Sequence, residues 1–383
     1  MRILIVNAHG QDPALGGVEK GLWMLTQQLS ARGHTVSWIT AFPSQPVEGS
    51  TGVTVLHSTD WRVDRYRRLQ THLEAFVSRP TRHLFEAIAE SAPEIVHTHN
   101  LPGITTAVWE AARRKGLPVV HTLHDYYLLC PRTTLMQRDG LTPCRPNPLL
   151  CGLRTRRLER WSGAVSHVVG VSRYLLERHA HLFPHSTQHV IRNPLVPVNA
   201  DFALPPARHL RSIGYIGSLG EPKGITILLE AAPILDRFGY EFHIAGGGRL
   251  APEVQRAAER LPNLTYHGVV SGESKQAFLA VCDLGIIPST WAEPGGPTHG
   301  MVEWLCAGRP VLVSPRGGLA EVIDAYPGAL ACEPDVDSIV ETVLSLRDDE
   351  AWKALANSVA RPSDEEDLAR WVAEHETLYR AMV

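Results

Sequence analysis

A chain of 383 residues with 44% hydrophobic and 20% charged residues is too long for one ordinary core and has the make-up of a globular protein of two domains. No run of 18 apolar residues occurs, which excludes a transmembrane helix, and the chain carries no low-complexity tract or short-period repeat. The net charge of −3 divides unevenly: residues 1–198 hold 22 Lys and Arg against 14 Asp and Glu, whereas residues 199–383 hold 15 against 26. A basic half suits an anionic acceptor or peripheral contact with an anionic membrane surface, its alternative being a scatter of solvated arginines.

The N-terminus enters a strand at once, at Ile3–Val6, and does not read as a signal peptide. The expected location is therefore the cytoplasm, with the inner membrane face as a site of association. Asp12–Gly17 reads as a loop, and Val18, Leu22, Leu25 and Leu29 then recur at helical spacing until Gly33. Val36–Thr40, Ile95–His97, Val119–Leu123 and Val165–Val171 are strand candidates. The basic segment Trp61–Phe85, with Arg62, Arg65, Arg67, Arg68, Arg79 and Arg82, reads as helical. Pro194, Pro197, Pro205 and Pro206 mark a linker over Asn193–Pro206.

A second series follows: strand Ile213–Ile216, helix Lys223–Arg237, strand Phe242–Ala245 closing on Gly246-Gly247-Gly248, then strands Leu264–His267, Leu284–Ile287, Pro310–Val313 and Ala329–Ala331. Asp364–Met382 reads as a terminal helix through Leu368, Trp371, Val372, His375, Leu378 and Tyr379. Strands alternating with helices in both halves predict an α/β architecture: two Rossmann-like domains, residues 1–198 and 199–363, facing across a cleft.

Cysteine and histidine usage is less informative. Cys130, Cys144 and Cys151 are spaced C-x13-C-x6-C, which matches no standard zinc pattern; with Cys282, Cys306 and Cys332 they read as free thiols of a reduced compartment, a metal or disulfide staple being the alternative. Among 19 histidines there is an H-x-H at His97–His99 but no HExxH, so no metal site is expected.

The most informative stretch runs from Pro288 to Gly318. A strand feeds a loop holding Glu293, then a Gly/Pro-rich turn, then a helix start carrying Glu303. A glycine-rich loop opening a helix makes an anion site, because unpaired N–H groups and the helix dipole face the loop. Two carboxylates beside it would repel phosphates and are better suited to accept hydrogen bonds from the hydroxyls of a sugar and a ribose. A nucleotide-sugar has all three parts.

These residues resemble the landmarks of the retaining family 4 glycosyltransferases: Pro288-Ser289, Glu293-Pro294, Gly300-Met301-Val302-Glu303 and Ala307-Gly308-Arg309-Pro310-Val311 stand like the family's E-x7-E region. Glu293 and Glu303 are ten positions apart where the family usually has eight, so two residues look inserted within Gly295–His299. The resemblance covers nearly the whole chain. It implies the GT-B fold, with an N-terminal acceptor-binding domain to which the C-terminal helix 364–383 returns and a donor-binding domain over 199–363.

The resemblance also assigns residues. Glu303 is implied as the ribose-hydroxyl acceptor and Glu293 as a partner of the donor sugar. Gly217-Ser218-Leu219-Gly220-Glu221-Pro222-Lys223-Gly224 resembles the family's G-R-L…K-G turn; Lys223 would steady the departing diphosphate, while Ser218 replaces the usual Arg and brings no charge. Arg249 or Arg316 could substitute for that missing arginine. Gly16-Gly17 resembles the N-terminal glycine loop that approaches donor and acceptor. His124-Asp125 resembles the family's histidine beside the donor sugar, with Asp125 fixing its tautomer or touching the acceptor. His97 and His99 lie on the same strand edge and read first as structural histidines, with His99 and Arg173 as the acceptor-side candidates. Gly246, Gly268 and Val269 belong to loops resembling those that close over the nucleotide, and Asn193-Pro194 falls near a further landmark.

The implied activity is transfer of a sugar, of hexosyl type, from a nucleotide-sugar such as a UDP- or GDP-sugar to a glycan, lipid-linked or small-molecule acceptor. It would proceed with retention, without a cofactor or metal and without nucleic acid. A nucleotide-sugar epimerase or a phosphorylase of the same fold, and a non-catalytic nucleotide-sugar-binding module, are the alternatives. A dinucleotide dehydrogenase is disfavoured, because the loop after the first strand reads NAHGQDPALGG and lacks G-x-G-x-x-G.

Overall fold

The computed structural model describes residues 1–10, 16–42, 53–55, 75–76, 78–137, 142–144, 149–194, 204–360 and 364–383. Most of the first loop, most of the basic segment (Arg62, Arg65, Arg67 and Arg68 included) and residues 195–203 of the linker lie outside the described residues. The chain forms two compact units, one of Met1–Leu135, Cys144–Asn193 and Ala369–Val383, the other of Met136–Pro143 and Pro194–Leu368.

The first unit begins β1 (Arg2–His9), α1 (Gly17–Ala31), β2 (Thr35–Phe42), β3 (Val53–Val55), α2 (Arg82–Ser91), β4 (Ile95–Thr98), α3 (Ala107–Arg114) and β5 (Val119–Leu123). It continues with α4 (Leu150–Glu159), β6 (His167–Gly170), α5 (Arg173–His179) and β7 (Thr187–Val190). Its sheet is parallel, in the order β3-β2-β1-β4-β5-β6-β7. Ile3, Leu4, Ile5 and Val6 are all at most 1% exposed. Unbroken burial, in place of alternation, follows from helices covering both faces of a parallel sheet. Each such side chain contributes about 1.5–3 kcal/mol by leaving water.

The second unit contains β8 (Ser212–Ile216), α6 (Ile225–Asp236), β9 (Glu241–Ala245), α7 (Ala251–Ala258), β10 (Leu264–Tyr266), α8 (Gly272–Val281), β11 (Leu284–Ile287), α9 (His299–Cys306), β12 (Val311–Val313) and β13 (Ala329–Ala331). Helices α10 (Val336–Ser345) and α11 (Asp349–Ser358) follow, and then α12 (Asp364–Arg380), most of which belongs to the first unit. The sheet order is β10-β9-β8-β11-β12-β13, again parallel. Strand order reverses between β1 and β4 in the first sheet and between β8 and β11 in the second. Ligands of open α/β sheets bind at the carboxyl ends of the strands flanking such a reversal.

Several predicted elements shift. The helix expected over Lys223–Arg237 is split: Glu221–Lys223 is a 3-10 turn, Gly224 adopts φ 73°, and the α-helix starts at Ile225. Only glycine fits there, because its positive φ disfavours other residues and the Pro288 carbonyl oxygen occupies the place of a Cβ. Gly17 opens α1 where a loop was expected. The basic segment is not helical through to Phe85: residues 78–80 are irregular around Pro80, and α2 starts only after Thr81, whose hydroxyl caps Leu84 N–H. Strands β3 and β7 escaped prediction; three of the four residues of Thr187–Val190 are polar, and the strand lies at the sheet edge.

Candidate functional site

In the second unit the two strands flanking the reversal deliver the predicted residues to one place. After β8 the chain turns through Gly217–Lys223, and after β11 it runs through Pro288–Glu293. Thr290 N–H and Trp291 N–H both donate to the Pro222 carbonyl, at 3.1 and 3.3 Å, which locks the two loops together. Lys223 Nζ then lies 2.6 Å from Glu293 Oε1 and 5.1 Å from the centroid of the Trp291 ring. Ser289, fully buried, donates its hydroxyl to the same Oε1 at 2.7 Å. Glu293 is held further by its backbone, which bridges to Gly317 and accepts from Gly318 N–H at 2.7 Å.

The Lys223 side chain is 27% exposed and that of Glu293 only 5%. An ammonium has three donors, so one can hold Glu293 while others reach anionic oxygens. The second carboxylate oxygen, Oε2, is left to accept from hydroxyls. The negative charge of Glu293 also helps burial to raise the Tyr215 pKa, and the Tyr215 hydroxyl donates to the Ser218 carbonyl at 2.8 Å.

Glu303 is placed by Trp304. That indole is fully buried beside Gly214 of β8 and Gly285 of β11, whose missing side chains make room for it. Helix α9 is thereby fixed across the strand reversal. Glu303 stands in the middle of the helix, not at its start, and its Oε1 accepts from Lys275 of α8 at 2.8 Å. Thr298 caps α9 through Met301 N–H; Met301 and Val302 are buried, and Gly300 leaves 3.0 Å between an added Cβ and the Ile216 carbonyl. The Gly295–His299 segment contains a cis Gly296–Pro297 peptide.

The loops after β8 and β9 form a shelf beside these groups. Gly217 N–H donates to Ala245, Leu219 N–H to Gly247 and Leu250 N–H to Leu219, at 3.1, 2.8 and 3.0 Å; Gly246 N–H reaches Gly268 at 2.7 Å. A side chain at Gly246 would strike the Gly217 carbonyl. Ser218 and Val269 are exposed. Arg249 and Arg316 each pair with a carboxylate of their own, Glu221 and Glu333.

In the first unit β4 and β5 bring histidines to one edge. His99 Nδ1 lies 3.0 Å from His124 Nε2. His99 is 3% exposed, beneath the half-buried His124, and so is a partner of that ring and not a surface for an acceptor. His97 is structural as expected: Nδ1 meets the Tyr379 hydroxyl and Nε2 the Thr122 hydroxyl, both at 2.7 Å. A cavity of about 20 Å³ is lined by Gly17, Leu22, His99, His124, Asn193 and His375, among others. Burial and the nearby His375 push the His124 pKa down to about 3, and burial pushes that of Asp125 up to about 6. Asp125 does not fix the His124 tautomer: its Oδ1 accepts from Tyr127 N–H at 2.7 Å and closes its own turn.

Gly16 caps α1 in extended backbone; its missing side chain accommodates the Glu19 carboxylate, 2.8 Å from an added Cβ, which in turn accepts from Asn7 at 3.2 Å. Arg173 is exposed at the first position of α5, after the Ser172 cap. The six cysteines are free thiols. Among the described residues no cluster of metal-ligating side chains occurs, and no helix is long and apolar enough to cross a membrane.

Sequence reading missed Lys275 and Trp291. Trp291 lay within the signalled stretch and could have been named as its aromatic member. Lys275 had no local signal, since its link to Glu303 spans 28 positions.

Comparison with known proteins agrees with this geometry. Residues 15–197 match the family model for Glycosyltransferase Family 4, and residues 211–349 match that for Glycosyl transferases group 1. An uncharacterized 42.6 kDa protein in the cps region of Klebsiella pneumoniae is 27% identical over 359 residues, 88% of this chain and 92% of that one. Sucrose-phosphate synthase from Thermosynechococcus elongatus superimposes with a TM-score of 0.71 at 16% identity, covering 100% of this chain and 99% of that one. Anabaena HepE in complex with UDP gives 0.68 at 18% identity, covering 99% of each chain, and a structure of HepE with UDP-glucose is also similar. Fold and sequence together define a glycosyltransferase with two Rossmann-like domains of the GT-B type. Within that class the chain belongs to the family 4 glycosyltransferases.

Proposed function

We propose that this glycosyltransferase moves a sugar, of hexosyl type, from a nucleotide-sugar donor to an acceptor hydroxyl, with retention of anomeric configuration and without a metal cofactor. The Lys223–Glu293 pair carries the reading: a cation for a diphosphate and an acid for a sugar share one spot at the strand reversal, 2.6 Å apart. Glu303, held by Lys275, supplies the second acid for ribose hydroxyls. HepE, of the same fold, binds UDP and UDP-glucose, which supports a nucleoside-diphosphate donor here.

In the reaction the acceptor oxygen bonds to the anomeric carbon as the bond to the β-phosphate oxygen breaks on the same face. The acceptor proton passes to that phosphate oxygen, giving a glycoside and a nucleoside diphosphate. Lys223 screens the charge that grows on the leaving group, and Glu293 and Glu303 orient the donor. The acceptor is a glycan, a lipid-linked sugar or a small molecule, bound by the basic N-terminal unit. The test is transfer from donor to acceptor followed by NMR of the new linkage. An axial donor bond giving an axial product supports retention, an equatorial product contradicts it, and donor turnover that needs no acceptor points to an epimerase.

A further inference from the structure

His124 and His99 sit at the ends of adjacent strands, and the hydrogen bond between them ties the proton position on one ring to that on the other. Burial pushes the pKa of both rings far down, so each is neutral and carries one N–H. Two arrangements satisfy the 3.0 Å contact between His99 Nδ1 and His124 Nε2. If His124 donates, His99 must hold its own proton on Nε2. That atom is buried with no hydrogen-bond partner among the described residues. An orphaned N–H would then be sealed in the core. If His99 donates from Nδ1, the orphan is a bare lone pair, and interiors tolerate an under-satisfied acceptor more readily than an orphaned N–H. His99 itself cannot swing away, because its ring packs 4.0 Å from that of His97, which Tyr379 and Thr122 hold at both nitrogens.

We propose that His99 is a positioning residue: it donates from Nδ1 to His124 Nε2 and so holds His124 as the Nδ1–H tautomer, leaving that N–H to donate to an oxygen of the bound substrate. The assignment rests on the proposed sugar transfer for its consequence, but not for its geometry. A histidine in the other tautomer would offer a lone pair where a hydroxyl or phosphate oxygen needs a donor. Proton placement on an imidazole by a neighbour is a known determinant of turnover.

The experiment is a two-bond proton–nitrogen spectrum of the full chain labelled with ¹⁵N-histidine, at neutral pH, for the wild type, H99N and H99L. The wild type should show His124 protonated at Nδ1 and bare at Nε2; a proton on Nε2 would overturn the proposal whatever the activity. In H99N the amide nitrogen replaces Nδ1 and should preserve the tautomer and restore turnover. H99L, which has no donor, should release His124 to a mixture and lower kcat about tenfold, the worth of one lost hydrogen bond, with little change in KM. A released tautomer with unchanged kcat would refute the role. Should H99L fail to fold, the wild-type and H99N spectra decide. The expected tautomer in a chain that transfers no sugar would sink the functional reading and leave the positioning intact.

Discussion

Lys223 and Glu293, seventy positions apart, meet at 2.6 Å where the loops after β8 and β11 are laced together. One partner of the pair is nearly buried and the other largely so. Its two members therefore depend on each other for more than ligand binding.

Removing the lysine strands a buried carboxylate. Lys223→Ala should lower transfer by about two to three orders of magnitude, as loss of a charge-stabilising group does. It should also cost about 1–3 kcal/mol of stability, because the buried carboxylate keeps the Ser289 hydroxyl but loses its counter-charge. The double variant K223A/E293Q should recover part of that stability but none of the activity. Chemical denaturation beside a transfer assay checks both, and equal stability of the single and double variants would deny the coupling.

Lys275 acts one step further out. Its ammonium fixes Glu303 Oε1 from α8, so Lys275→Met should weaken nucleoside-diphosphate binding about tenfold by freeing the carboxylate, while Glu303→Ala should weaken it at least as much. Calorimetric titration separates the two. Wild-type affinity in K275M would mean that the carboxylate is held by α9 alone.

Much of this was legible beforehand because parallel strands buried on both faces leave continuous apolar runs. Leu284–Ile287 and Val119–Leu123 were read with the ends they have. Glu293 and Glu303 stood out because acids beside a glycine-rich anion site need a hydroxyl-bearing ligand. What could not be read was long-range. Nothing local says that Lys275 answers Glu303, that the Pro288 carbonyl forces Gly224 to end a 3-10 turn, or that Asp125 spends its carboxylate on Tyr127 instead of His124. Gly16 was read as making room for ligand, and it also makes room for Glu19.

The buried histidines predict acid sensitivity. His97, His99, His121 and His375 are at most 3% exposed, and burial lowers all four pKa values, to about 3 for His121 and about 4 for His375. In the unfolded chain each takes up a proton below about pH 6.5 that the native state refuses. Stability is thus fully present above about pH 6.5 and is lost as pH falls, by up to about 1.4 kcal/mol per pH unit for each histidine. Asp125, whose pKa rises to about 6, acts in the opposite sense but is a single group. Denaturant midpoints should fall steeply between about pH 7 and pH 5; a flat profile would contradict the burial of these rings.

Metal removal should be without effect. In the proposed reaction Lys223 would take the charge-screening part that a divalent ion has in other transferases, so EDTA should leave the transfer rate unchanged. Loss of activity with EDTA and its return with Mg²⁺ or Mn²⁺ would show that the ammonium does not suffice.

The proposed nucleotide-sugar site lies in the second unit between Lys223 and Glu303. Thermal denaturation of wild type, K223A and E303A against a panel of nucleoside diphosphates and their sugars tests it most directly. At least one compound should raise the wild-type midpoint by several degrees, about 2.7 kcal/mol at a hundred times its Kd, and the rise should fall to about half or less in both variants. An equal rise in all three proteins would place the nucleotide elsewhere and contradict the account.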